Sequence, residues 1–285
     1  YMEYCNGGSD TITVTSCGAS REIRFAGFVQ INPSTGTRRD IRLKLDSPPT
    51  WTTPSHKLLW QTTHTRQMYM DEADRALWKA MYQLLTTTGH ASSSATSRCS
   101  VMANVRIKAI YRIEHFALWR KYMHRVRMML EEHARLHVDA SKIRHSKGTI
   151  GWVLGSAGHA LDKHGALAHD INEQWLFHGT TYNNADSIVR SGFDFRTCQR
   201  GMYGAGVYFA SEACKGNQYT CVRHTGVNDV CTCKCERTMI VARVALGDPF
   251  YATATLPNQR RPPEHRSGHR VYDSIIANPG PMKGH

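Results

Sequence analysis

The 285-residue sequence has no run of about 18 apolar residues, so we expect no membrane-spanning helix. It does not open with successive basic, apolar and small-residue regions, so we expect no secretory leader. Acidic residues are scarce: 23 accompany 36 lysines and arginines, which gives a net charge of +13. An ordinary apolar content of 41% excludes a wholly disordered chain. This length predicts one large domain or two small ones, and the charge favours anionic partners.

Much of the positive charge lies between Arg106 and Ile150, where eleven lysines or arginines accompany four acidic residues. A solvated helix face explains this better than a nucleic-acid site, because no recognised DNA-binding motif accompanies the charge. We therefore do not expect specific nucleic-acid binding.

The nine cysteines are unevenly distributed, and five of them fall between Cys214 and Cys235. An odd number without a leader is typical of a reducing compartment, which predicts the nucleus or the cytoplasm. The clustered residues have spacings that suit tetrahedral zinc, and the alternative is a loop of reduced surface cysteines. The candidate zinc ligands are Cys221, His224, Cys231, Cys233 and Cys235.

Hydrophobic periodicity and turn residues predict a chain that mixes strands and helices. We expect β structure over residues 10–44, with a turn at 32–36, and a proline-containing linker over 45–56. Helical spacing of apolar residues marks two segments, 71–87 and Phe116–Leu136. Strands are expected at Val105–Ile113 and Met239–Ala245, and a short helix at Ala185–Val189 that ends near Gly192.

The last third of the chain carries an ordered set of short motifs. Leu176-Phe177-His178-Gly179-Thr180 is followed by Gly192-Phe193-Asp194, by Gly201-Met202-Tyr203-Gly204-Ala205-Gly206-Val207-Tyr208-Phe209-Ala210, and by Asn217-Gln218-Tyr219. This order resembles the catalytic domain of the poly(ADP-ribose) polymerase family and is most similar to its tankyrase branch. The resemblance covers roughly residues 55–285.

The resemblance implies an α+β, diphtheria-toxin-like ADP-ribosyltransferase fold, with two packed antiparallel sheets, flanking helices and NAD in the cleft between the sheets. It implies catalytic roles for His178 and Tyr208. The expected NAD-binding residues are His178, Gly179, Thr180, Asn184, Arg196, Tyr203, Tyr208, Phe209, Ala210, Lys215 and Tyr219, with Arg200 as an alternative phosphate contact.

The chemistry of the reaction suits these residue types. Displacing nicotinamide from NAD passes through an oxocarbenium-like state. Gly179 permits close backbone approach and can offer its N–H and C=O to the carboxamide. Tyr208 and Tyr219 can hold the pyridinium ring between them by stacking and cation–π attraction.

Two departures from the family pattern affect the expected activity. Gly216 follows Lys215 where the family usually has a serine that binds the carboxamide, which predicts weaker nicotinamide binding. The chain also stops at His285, before the last strand and its third signature residue, which is a glutamate in polymerising members. We therefore expect this chain to be impaired, and mono- and poly-transfer stay open.

Tankyrases carry a short zinc loop at the place of the cysteine cluster. The resemblance implies a structural zinc held by Cys221, His224, Cys235 and either Cys231 or Cys233. Cys231 is favoured, because the alternative Cys233 would form a Cys-x-Cys chelate with Cys235, in which the two ligands are tightly spaced.

The segment Ile23-Arg24-Phe25 through Arg39-x-Ile41-Arg42 is similar to the end of a WWE domain. That family's half-barrel can bind iso-ADP-ribose units, so poly(ADP-ribose) is a candidate ligand. The alternative is a generic β-hairpin, since the paired tryptophans of a WWE domain are missing.

We therefore expect a partial WWE-like module over residues 1–44, a linker over 45–56 and a C-terminally truncated transferase domain over 57–285. The expected function is transfer of ADP-ribose from NAD to acceptor proteins, with release of nicotinamide. The alternatives are a catalytically inactive module that binds NAD or ADP-ribose, and a zinc-containing nucleic-acid binder.

Overall fold

The structure is a computed structural model. It describes residues 11–16, 19–24, 29–40, 63–68, 75–86, 105–138, 167–198, 201–221 and 235–277. The chain divides into two compact units, Tyr1–Asp46 and Ser47–His285. The expected linker over 45–56 lies outside the described residues. Within the described ranges, no helix is both long and apolar enough to cross a membrane.

The first unit contains an antiparallel sheet in which each strand pairs with the next along the chain. Its strands are β1 (Thr11–Ser16), β2 (Ala19–Arg24), β3 (Val29–Ile31) and β4 (Arg38–Asp40). The turn between β3 and β4 falls at residues 32–36, as predicted. The side chain of Asn32 accepts from the N–H of Ser34 at 3.0 Å, and Gly36 has a φ of +68° that favours glycine.

The second unit mixes helices and strands, which confirms the α+β class. Its helices are α1 (Arg75–Thr86), α2 (Phe116–Arg135), α3 (Tyr182–Ser191) and α4 (Ala213–Asn217), with 3₁₀ helices at His169–Ile171 and Phe195–Thr197. Its strands are β5 (Thr63–Met68), β6 (Ile110–His115), β7 (Glu173–Thr180), β8 (Thr238–Ala245), β9 (Pro249–Ala252) and β10 (Ser274–Ala277).

Among the described residues of this unit, the strands form three pairs. β5 pairs with β6 and β7 with β8, both antiparallel. β9 pairs with β10 in parallel, which differs from the antiparallel sheets that we expected. Parallel strands need a crossover between them, and residues 253–273 form this connection. How the strand pairs assemble into two packed sheets stays a prediction.

The strand predicted at Val105–Ile113 is displaced along the chain and lies at Ile110–His115. The reason is its partner: β5 has six residues, and they pair one by one with Ile110–His115. The other predicted elements agree with the structure within the described residues. Of the helix predicted over 71–87, the structure describes Arg75–Thr86.

The core that supports β7 comes from α1 and α4. Leu77, Met81 and Leu84 recur at helical spacing on α1 and are buried. They form one hydrophobic cluster with Leu176 and Phe177 of β7 and with residues of α4. Phe177 is only 1% exposed, so its burial contributes about 2 kcal/mol to folding. Because side chains alternate along a strand, burying Phe177 leaves His178 on the opposite face.

A buried ion pair joins β7, β8 and α2. Arg243 donates two hydrogen bonds to the Glu173 carboxylate, both at 2.7 Å, and Tyr122 donates a third at 2.5 Å. Burial alone would raise the pKa of Glu173, but the hydrogen bonds from Arg243, Tyr122 and the N–H of Ala168 outweigh it and lower that pKa. Burial and the bond to Glu173 raise the pKa of Tyr122.

Replacing Arg243 by methionine leaves the Glu173 carboxylate buried without its cation. We expect Arg243→Met to lower the free energy of unfolding at pH 7 by about 3 kcal/mol, measured by urea denaturation. Since pairing lowers the pKa of Glu173 below its ordinary value of 4.5, the stability that the ionised pair gives the wild type is lost as the pH falls through that lowered pKa.

The matched control is Arg190→Met, which removes an exposed ion pair with Asp186 one helical turn away. Exposed pairs contribute little to stability. Equal effects of the two substitutions would contradict the role given to the buried pair.

Candidate functional site

The site is built on the exposed edge of β7. On one side, β7 pairs with β8 over its whole length, with Gly179 opposite Met239. On the other side, Phe177 exchanges two hydrogen bonds of 2.8 Å with Ala210, and this bridge is isolated. Backbone groups of alternate residues point to the same edge of a strand. The N–H and C=O of Gly179 therefore point to the Ala210 side, one step beyond the bridge.

Within the part of the chain that the structure describes, no backbone group pairs with Gly179 on this edge. One donor and one acceptor thus lie side by side at the end of a half-buried strand. This arrangement complements a primary carboxamide, which also offers one donor and one acceptor.

Helix α4 packs against the position where a side chain of residue 179 would lie. A Cβ atom at this position would lie 1.7 Å from the carbonyl oxygen of Gly216, so only glycine allows the backbones to approach this closely. The contact brings two further residues to the end of β7: Lys215, which precedes Gly216, and Tyr219, whose N–H donates to the Gly216 carbonyl at 3.1 Å.

His178 lies on the half-buried face of β7. Its Nδ1 is 2.8 Å from the main-chain oxygen of Tyr208. A carbonyl can only accept, so Nδ1 carries the proton. Burial lowers the pKa of His178 despite this bond, which keeps the ring neutral at pH 7. A neutral ring protonated on Nδ1 presents Nε2 as an acceptor, which suits a hydroxyl donor such as a ribose 2′-OH or 3′-OH.

The two tyrosines predicted to stack on a ring are both accessible, each 41% exposed. Burial raises the pKa of Tyr208 most, and Tyr219 is close enough to add to that shift. The Lys215 ammonium lies 5.6 Å from the centre of the Tyr219 ring and donates to Gln218. Tyr208 lies two residues before Ala210, the bridge partner of Phe177, and the Tyr219 N–H donates to the Gly216 carbonyl at 3.1 Å, so both residues lie near the end of β7.

The structure places the other predicted contacts on β7, on α3 and in the segment 203–210. Thr180 is buried at the end of β7. The N–H of Asn184 donates to the hydroxyl of Thr181, which caps α3. Phe209 packs its ring 5.6 Å from that of His178. The Tyr203 N–H donates to the Tyr208 hydroxyl, and Ala210 forms the bridge to Phe177.

Arg196, predicted to reach phosphate oxygens, forms an ion pair with Asp194. Its guanidinium binds the carboxylate through Nε at 2.8 Å and Nη2 at 2.7 Å. Hydrogen bonds from Arg196 lower the pKa of Asp194 to about 2. Both side chains are accessible, so a phosphate can compete with this carboxylate for Arg196. The alternative contact, Arg200, lies outside the described residues.

Comparison with known proteins bears on what this site does. The sequence matches the model of the poly(ADP-ribose) polymerase (PARP) catalytic domain over residues 91–273, more than half of the chain. The match contains every residue predicted to contact NAD. The chain belongs to the PARP catalytic domain family.

Three relatives of this chain are each named as a protein mono-ADP-ribosyltransferase. Protein mono-ADP-ribosyltransferase PARP12 of Homo sapiens is 25% identical over 97% of this chain and 34% of its own length. PARP3 of Mus musculus is 34% identical over 44% of the chain and 21% of its own length. PARP11 of Homo sapiens is 23% identical over 93% of the chain and 71% of its own length. The chain thus spans about a third or less of the first two.

Two of the four predicted metal ligands of this PARP domain are described. The Sγ atoms of Cys221 and Cys235 lie 3.6 Å apart, so the structure brings the two ends of the cluster together. His224, Cys231 and Cys233 lie outside the described residues. Among those described, no group of three or more candidate ligands converges.

Sequence reasoning missed residues that support the site rather than line it. Phe193 packs edge-on against both His178 and Phe209, at 5.1 and 5.0 Å. Arg237 donates to the Asn217 side chain at 2.8 Å, which connects the end of α4 to the start of β8. Phe193 lies within the motif Gly192-Phe193-Asp194, so its position in the sequence could have indicated this role. No local pattern marks the pairing of Asn217 with Arg237.

Proposed function

We propose that this chain transfers ADP-ribose from NAD to an acceptor protein side chain and releases nicotinamide. The observation that carries the proposal is the edge of Gly179, which has no backbone partner among the described residues, together with the accessible side chains of Tyr208 and Tyr219 near the end of the same strand. Membership of the PARP family supports it. The names of PARP12, PARP3 and PARP11 favour transfer of a single ADP-ribose to each acceptor.

In this proposal different residues bind different parts of NAD. Gly179 binds the carboxamide, and the two tyrosines hold the nicotinamide ring. His178 accepts a hydrogen bond from the adenosine ribose through Nε2. Arg196 exchanges Asp194 for the diphosphate, a charge-assisted contact of the same kind.

The reaction breaks the bond between C1′ of the nicotinamide ribose and the ring nitrogen. Nicotinamide leaves with that electron pair as a neutral base, and C1′ gains oxocarbenium character. An acceptor oxygen or nitrogen then forms a bond to C1′ and loses its proton. The site contributes by fixing the geometry of NAD and by binding the leaving group.

The test of the function is release of nicotinamide from NAD, together with labelling of the chain or an added acceptor. We expect His178→Ala to lower kcat/KM by roughly tenfold to a hundredfold, because it removes both the ribose contact and the tie to Tyr208. The control is His124→Ala, an exposed residue of α2. Wild-type kcat/KM in the His178 variant would contradict the proposal.

A second candidate function, NAD binding without turnover, is favoured by Gly216. The family serine that binds the carboxamide is replaced here. A Cβ atom at Gly216 would lie 3.5 Å from the Gly179 nitrogen, the Met239 methyl and the Phe177 Cβ, which is ordinary contact. A side chain at residue 216 therefore fits, beside the backbone that would bind the carboxamide.

We expect Gly216→Ser to tighten nicotinamide binding by roughly threefold to tenfold, the contribution of one hydrogen bond. Calorimetric titration with nicotinamide measures it. Gly216→Ala is the matched control, since it adds the same Cβ without a hydroxyl. If serine and alanine bind nicotinamide equally, the interpretation of Gly216 is wrong.

Zinc in the cysteine cluster is a further part of the proposal. With zinc–sulfur bonds of about 2.3 Å, tetrahedral geometry places two sulfurs about 3.8 Å apart. The 3.6 Å between Cys221 and Cys235 fits this spacing. His224 and Cys231 would complete the ligand set, with Cys233 as the alternative to Cys231. The metal would be structural and would hold the loop closed.

Elemental analysis of the purified chain tests the metal. We expect about one zinc per chain, with four protein ligands. Cys235→Ser should reduce the zinc content and lower the melting temperature, whereas Cys198→Ser, outside the cluster, should keep the metal. A chain without zinc and with Cys221 and Cys235 joined in a disulfide would contradict this part of the proposal.

The first unit is proposed to be a WWE-like module. The antiparallel sheet β1–β4 and the residue pattern from Ile23 to Arg42 support this. Poly(ADP-ribose) would be its ligand.

The assignment of the chain to the tankyrase branch stays part of the proposal and rests on the motif of residues 201–206.

A further inference from the structure

The Tyr208 side chain is fixed at its far end by its hydroxyl. The hydroxyl donates to the Gly204 carbonyl at 2.7 Å and accepts from the Tyr203 N–H at 3.1 Å. The main-chain oxygen of the same residue accepts from His178. The orientation of the ring therefore depends on two structures, β7 at one end and the turn at residues 201–204 at the other.

That turn is closed by glycine. Gly201 and Gly204 exchange two backbone hydrogen bonds of 3.2 Å. Gly204 has a φ of +94°, where a side chain is strained. A Cβ atom at Gly201 would lie 2.6 Å from the Tyr208 hydroxyl oxygen, so this glycine makes room for the hydroxyl.

The turn rests on residues 256–259, which we call the support segment. Leu256 donates its N–H to the Met202 carbonyl at 2.7 Å, and the Ala205 N–H donates to the Gln259 carbonyl at 2.9 Å. Gly204 lies against that carbonyl: a Cβ atom at Gly204 would be 2.2 Å from the Gln259 oxygen. The turn and the support segment are thus in backbone contact without an intervening side chain.

We propose that the support segment is a positioning element of the nicotinamide site, which acts on Tyr208 through Gly204. The inference rests on the proposed function, because it assigns the Tyr208 ring to nicotinamide. In this proposal Gly204 makes no contact with the substrate itself. It carries the carbonyl that holds the Tyr208 hydroxyl, and its contact with Gln259 fixes where that carbonyl lies.

The test is Gly204→Ala, which forces the turn and the support segment apart. Small displacements in a binding site have large effects on catalysis. We expect the KM for NAD and the dissociation constant of nicotinamide to rise by roughly fivefold to tenfold, with a smaller change in kcat. A merely structural defect would reduce the active fraction, and so lower kcat while KM stays the same.

The matched control is Gly268→Ala. Gly268 also has a positive φ, +74°, but a Cβ atom there would meet nothing within 4 Å. Both alanine variants therefore bear backbone strain, and only Gly204→Ala adds the clash with Gln259. Both should lower the melting temperature, whereas only Gly204→Ala should weaken nicotinamide binding.

A double-mutant cycle tests whether Gly204 acts through the Tyr208 hydroxyl. Tyr208→Phe keeps the ring and removes both hydroxyl hydrogen bonds, which should weaken nicotinamide binding by roughly threefold to tenfold. The double variant should bind no worse than the weaker single variant, because both changes break the same link. Additive losses would overturn the inference.

Direct binding of nicotinamide separates the two proposals. If the wild-type chain binds nicotinamide and Gly204→Ala binds it as tightly as Gly268→Ala does, the positioning inference is wrong and the proposed function stands. If the wild-type chain neither binds nicotinamide nor turns over NAD, both are overturned.

Discussion

The site depends on one backbone contact, that of Gly179 on β7 with Gly216 on α4. A Cβ atom at residue 179 would lie only 1.7 Å from the Gly216 carbonyl oxygen. Any side chain at residue 179 would push α4 away from the strand, and Lys215 and Tyr219 would move with it. Tyr219, whose N–H donates to the Gly216 carbonyl at 3.1 Å, is therefore held near the end of β7 by the closeness of the two glycines.

The groups around this contact are held by different forces. Phe177 anchors β7 in the core, and the buried pair of Glu173 and Arg243 joins β7 to β8. Hydrogen bonds fix Tyr208 from both of its ends. A rigid edge formed in this way can bind a flat amide-bearing ring with little loss of conformational freedom, which favours affinity.

Local patterns in the sequence predicted the elements whose residues determine their own structure. Helix α2 has apolar residues at helical spacing, and β8 is rich in β-branched residues, so both were found nearly to the residue. Strand β5, with the polar sequence THTRQM, is a strand because it pairs with β6. No local pattern shows such a partner, and the same holds for the parallel pair β9–β10.

The site itself was predicted as a set of residues rather than as a geometry. The motifs identified both glycines, but their contact joins separate elements and only the fold reveals it. The most direct test is a crystal structure of the chain with nicotinamide. We predict that the carboxamide bonds to the N–H and C=O of Gly179 and that the ring lies between Tyr208 and Tyr219. Nicotinamide bound elsewhere, with the Gly179 edge empty, would contradict it.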